Sequence, residues 1–271
     1  MKTIAIFAAT VCLLTAADAQ AVTPKPTPTP SPSHRFATAA VALKASFGPP
    51  AEYRAAPSAS DPEIAHDLSE IRDTMAVFGT PAFPVNGITT FHTVCETLTA
   101  LPQQYLLGGA TAVPGLTGEP SVTSPELANL LNANGLAHQD EITLLGTSMV
   151  KCNALHMPWF AKFVDGVPVA KRPQGMIDGV HQMQAGYAQM MQGTAASTSA
   201  PQLSPANRDL DVAALATYTD AIAAIMTVTE RQRLKAQIDA VAPRLATDYP
   251  AQYAAIARAL ARTDCSGLCA I

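Results

Sequence analysis

Apolar residues recur three and four positions apart along most of this chain, and that spacing constrains its fold more than any other feature. Residues three and four apart share one face of an α-helix, so the pattern calls for helices that each bury a stripe. The longest example is Ile142, Leu145, Met149, Cys152, His156, Trp159 and Phe163, a nearly continuous stripe with a cysteine and a histidine inside it. No segment keeps the two-residue alternation of a half-buried strand, and no two-residue Asn-Gly turn joins alternating runs. The prediction is an all-α fold, a multi-helix bundle or orthogonal helical array in one domain.

Start and stop chemistry places the helices. Phe36, Ala40, Leu43 and Phe47 predict a helix over 35–47, stopped by Gly48, Pro49 and Pro50. Ile64, Leu68, Ile71, Met75 and Phe78 predict a second, entered through Asp61 as N-cap with Pro62 behind it and left at Gly79. Its other face carries Glu63, Asp67, Glu70 and Asp73, which reads as a solvated surface. A third begins near Asn86 with Phe91, Val94, Leu98 and Leu101 inward, and Pro102 is expected to kink or end it. Glycines and prolines over 108–120 read as a surface connection, after which Ser124 and Pro125 open a helix that should break at Asn134 and Gly135.

The long stripe follows, with a bend expected at Pro158. Four more runs complete the chain. One carries Ile177, Val180, Met183, Tyr187 and Met190; the next carries Leu210, Ala214, Tyr218, Ile222 and Ile225. Thr227 and Glu230 form a capping box ahead of Leu234, Ile238, Val241 and Leu245, and Pro250 opens a last helix with Tyr253, Ile256 and Leu260.

The chain begins differently. Lys2, an apolar run over 4–14 and the small-residue exit Ala17, Asp18 and Ala19 have the three zones of a secretory leader, too short to span a bilayer. Cleavage is expected before Gln20, giving a signal peptide over 1–19 and a periplasmic or extracellular destination. Alternating prolines then make 20–34 a Pro/Thr-rich disordered linker, because each fixes φ and removes an amide donor; the helical domain is 35–271. Lys2 and Asp18 cancel, so losing the leader leaves the net charge of −4 unchanged. A chain with no basic excess is a poor partner for nucleic acid phosphates or an anionic membrane surface. No second stretch approaches the length of a membrane span.

The familiar catalytic and cofactor signatures are missing: there is no nucleophile elbow, no His-Glu-x-x-His, no Cys-x-x-Cys and no phosphate loop. Chemistry therefore rests on cysteine and histidine. Beyond the leader stand Cys95, Cys152, Cys265 and Cys269, an even number in an oxidising compartment, so two disulfides are expected. Pairing Cys95 with Cys152 staples two helices, and pairing Cys265 with Cys269 closes the C-terminal turn around Gly267.

A metal competes for the same atoms. His92 precedes Cys95 by three and His156 follows Cys152 by four, so two facing helices would offer His92, Cys95, Cys152 and His156 as a Cys2His2 set for zinc or copper. Met176, Met183, Met190 and Met191, with His181 and Tyr187, read as core filling rather than a copper face. Pro158, Trp159 and Phe160 read as packing, with an apolar gap at the kink as the alternative. The function expected is that of an exported helical protein that binds a protein or a small apolar ligand without catalysis. The alternatives are a metal-binding protein and an enzyme whose site is assembled from scattered residues.

Overall fold

A long central helix packs against other helices on more than one of its faces. The computed structural model describes residues 29–48, 56–108, 125–265 and 267–271; the expected signal peptide, the linker up to residue 28 and the connection over 109–124 lie outside them. Among the described residues no strand forms, and a single isolated bridge joins Phe78 to Phe83. The fold is all-α, and Ser31–Ile271 holds together as one unit. No described helix is long and apolar enough to cross a membrane.

The first helix, α1 (Pro32–Ser46), starts three residues earlier than its apolar stripe required. Ser31 caps it by accepting from the His34 amide, and Pro32 costs no hydrogen bond at the first helical position. α2 (Pro62–Ala76) begins as its sequence dictates, with the Asp61 carboxylate accepting from the Glu63 amide. Its C-terminal carbonyls, those of Met75 and Ala76, accept from the Lys151 ammonium at 2.7 and 3.2 Å.

A short helix, α3 (Ile88–Thr90), passes through one π turn (Phe91–Cys95) into α4 (Glu96–Leu107). Of the two outcomes expected at Pro102, a kink or an end, the end does not occur: α4 runs on to Leu107. Pro102 is itself buried, and the turn beyond it seals Tyr105 completely, so continued burial outweighs one missing amide bond. α5 (Pro125–Ala137) likewise runs through Asn134 and Gly135. The Asn134 amide is used as a tie, donating to the Leu106 and Gly108 carbonyls at the end of α4.

The central helix is α6 (Gln139–Asp165), which continues through Pro158. After it come α7 (Gln174–Thr198), α8 (Pro205–Ala223), α9 (Val228–Val241), α10 (Leu245–Asp248) and α11 (Pro250–Leu260). The capping box of Thr227 and Glu230 is in place at the head of α9. α6 packs on α4 and α2 along one part of its surface and on α8 along another. It feeds two apolar clusters: Leu145 and Cys152 join α1, α2 and α4, whereas Val150, Ala154, Met157 and Val164 join α7, α8, α9 and α11.

Candidate functional site

Three of the four predicted ligands come together, at the contact of the π turn with α6. In the π turn the Glu96 amide reaches the Phe91 carbonyl five residues back, and Cys95 ends fully buried against α6. Such turns frequently mark functional positions. Cys95 and Cys152 lie at disulfide distance, with Cα atoms 5.5 Å apart. His156, also without exposed surface, places Nδ1 2.9 Å from the Cys152 carbonyl oxygen and 3.3 Å from Cys95 Sγ.

The carbonyl accepts only from an N–H, so Nδ1 carries the proton in this arrangement. Nε2 is buried and makes no hydrogen bond. Phe78 stacks on the ring at 6.0 Å and Phe91 meets it edge-on at 5.4 Å. Burial in this apolar shell pushes the His156 pKa down, and the hydrogen bond to the Cys152 carbonyl offsets part of that.

His92 is not part of the group. It is half exposed on the outside of the π turn, with Nδ1 2.6 Å from Glu96 Oε1. The three donor atoms of Cys95, Cys152 and His156 lie within 4.8 Å of one another. Two of them are the sulfurs at disulfide distance, so a metal and a bridge exclude each other here.

Cys265 and Cys269 also lie at disulfide distance, around Gly267, whose φ of +67° suits glycine. The ring docks on α7, where the Gln184 side chain donates to the carbonyls of Leu268 and Ile225.

The second feature is a groove. Where α4 and α7 stand apart above α6, two adjoining clefts of 710 and 490 Å³ open, and Thr99, Gln103, Met149 and Met190 line both. Along α6 the lining runs from Gln139 to Asn153, about 20 Å at the helical rise per residue. α7 turns Met183, Gly186, Met190, Gly193 and Ser197 toward it at alternating steps of three and four. Met183, Met190 and Tyr187 thus serve as groove lining, while Met191 is core. None of Pro158, Trp159 and Phe160 lines the groove; the Trp159 indole packs over Gly87, where an added Cβ would come within 2.6 Å of Nε1.

Three helix-interior glycines, Gly146, Gly186 and Gly193, line the groove. A Cβ built on Gly146, Gly186 or Gly193 meets nothing within 4 Å among the described residues, so no close packing there demands glycine. Each costs its helix about 1 kcal/mol relative to alanine. The sequence reading passed over these residues because they interrupt no stripe. Glycines at positions 186 and 193, seven apart with methionines between them, were the available signal.

At one end the groove reaches Asp211 of α8, only 5% exposed. Its Oδ2 accepts from the Ser197 hydroxyl, and Oδ1 has no hydrogen bond. Loss of water raises its pKa to about 6, against the smaller opposing effect of Ser197. Asp211 escaped the sequence reading because the stripe assigned to this helix, Leu210 onward, is turned by one residue. Leu210 is 51% exposed, and the buried positions include the polar Asn207, Asp211 and Thr219.

Comparison with family models, with curated proteins and with solved structures finds no match to this chain.

Proposed function

We propose that this chain is an exported, non-catalytic binding protein whose ligand is a small, elongated, largely apolar molecule held in the groove between α4, α6 and α7. The observation that carries the reading is the set of interior glycines, Gly146, Gly186 and Gly193. They leave the groove walls low at a cost to their own helices, and among the described residues nothing packs on their Cβ positions. The clefts fall in the size range of small-molecule sites, and their walls combine methionine, leucine and isoleucine with a few polar groups. Paired cysteines suit an oxidising compartment, in keeping with the leader.

Prodan, a neutral dye that brightens and shifts to the blue in apolar surroundings, tests the reading. The purified protein should bind it, and Gly146→Leu and Gly193→Leu, which fill the groove, should each weaken binding at least about tenfold, or 1.4 kcal/mol, with unchanged circular dichroism. Equal binding by the parent and both variants would remove the groove from the account.

A second reading rests on the three donor atoms within 4.8 Å of one another. In a reduced protein, Cys95, Cys152 and His156 would offer two thiolates and an imidazole to zinc or copper(I). Metal analysis of protein purified under reducing and under oxidising conditions separates the two. Stoichiometric metal in the reduced sample alone would support this reading, and metal-free protein in both would end it.

A further inference from the structure

The groove contains acid and no base. Among the described residues no lysine, arginine or histidine lines either cleft, whereas Asp211 lies at the end of one and Glu96 in the other. The two carboxylates differ. Glu96 is half exposed and has His92 beside it. Asp211 is withdrawn from water, accepts one hydrogen bond from a neutral hydroxyl, and leaves Oδ1 without a partner where α8 meets the groove. Buried carboxylates are ordinarily matched by a cation or by several donors, because one hydroxyl does not replace the lost hydration. Nothing on α6, α7 or α8 supplies that cation. The groove does supply an open path to the unpaired oxygen.

We propose that the occupant of the groove is an organic cation with an elongated apolar body, such as an alkylamine, whose ammonium group donates to Asp211 Oδ1. The apolar part lies along Met149, Met190 and Gly193, with the charge at the Ser197 end. An anionic amphiphile of the same length would bring two negative charges together in a poorly solvated place, so the site discriminates by sign as well as by shape. This inference rests on the groove being the ligand site.

Three probes with one tail and different heads test it: decylammonium, decanol and decanoate, each used to displace prodan at pH 7.5 from the full protein. Decylammonium should displace the dye at a concentration at least about tenfold lower than decanoate, with decanol between them. In Asp211→Asn, which keeps the side-chain shape, the three should become equal within about twofold. Equal displacement by all three in the parent protein overturns the head-group inference and leaves the groove reading intact, as does a preference that survives Asp211→Asn. If none displaces the dye, or prodan binding ignores Gly193→Leu, the groove reading fails and takes this inference with it. The comparison among probes on the parent protein stands even if the Asn variant does not fold.

Discussion

Two faces of α6 enter cores built on different principles. Toward α1, α2 and α4 the core is aromatic and aliphatic, with Phe36, Phe78, Phe83 and Leu98 sealed from water. Three of its buried polar atoms, the hydroxyl of Tyr105, Nδ1 of His138 and Nε2 of His156, make no hydrogen bond. The paired cysteines 95 and 152 lie at disulfide distance there, placed for a covalent tie. Toward α8, α9 and α11 two buried side chains act as struts, although Oε1 of Gln184 and Nε of Arg208 make no hydrogen bond. Arg231, 1% exposed, donates to the carbonyls of Ala223, Met226 and Arg262, and Gln184 holds two more. In the first region a cysteine pair reaches between two helices, in the second hydrogen bonds brace the core and the cysteine pair at 265 and 269 is only local, and the groove lies where the helices of the two regions fail to close on each other.

The brace should be the costlier to remove. Arg231→Met leaves three carbonyls without their donor, so chemical denaturation should show a loss of about 4 to 5 kcal/mol. A loss under about 1 kcal/mol would mean that the polar network does not support that core. The staple comes next. Replacing Cys95 and Cys152 together by alanine reopens a long loop and should cost about 4 kcal/mol on the chain-entropy account, against about 2 for Cys265 and Cys269. Reversal of that order in urea midpoints would contradict the unequal roles given to the two pairs.

Asp211 gives a third test, through pH. Its folded pKa of about 6 lies above the ordinary 3.8, so the folded state holds this proton more tightly than the unfolded chain does. Its effect on stability is therefore neutral below about pH 4, grows unfavourable as pH rises through 6, and is complete above that, at most about 3 kcal/mol. Asp211→Asn should match the parent at low pH and exceed it at pH 7.5; a constant difference across that range would refute the shift. The smallest effect belongs to the groove walls. Gly186→Ala and Gly193→Ala add a methyl group to open space and should each raise stability by about 0.5 to 1 kcal/mol. Destabilisation by either would show that its Cβ position is occupied.

The helices were legible because their signals are local. Asp61 with Pro62, Ser204 with Pro205, and Thr227 with Glu230 each fix a start through backbone amides that need an acceptor within a few residues. The proline and Asn-Gly signals failed as helix stops at Pro102, Asn134 and Gly135 for a tertiary reason, the burial of Tyr105 and the tie from Asn134 to the end of α4. The cysteine centre was half legible. Spacing put His156 beside Cys152, but it could not anticipate that the π turn leaves His92 outside. The groove was not legible, because a gap depends on what two helices fail to touch. Asp211 was hidden by the assumption that a buried face is apolar, which α8 breaks at Asn207, Asp211 and Thr219.

The central claim is that the opening between α4, α6 and α7 receives a ligand, and methionine methyl groups mark it. Met149, Met183 and Met190 line the groove, while Met75, Met157 and Met226 are buried in the two cores. In protein labelled with carbon-13 at the methionine methyls, the ring currents of bound prodan should shift the first three resonances in a saturable titration and leave the other three in place. Shifts confined to Met75, Met157 and Met226, or none at saturating dye, would contradict it.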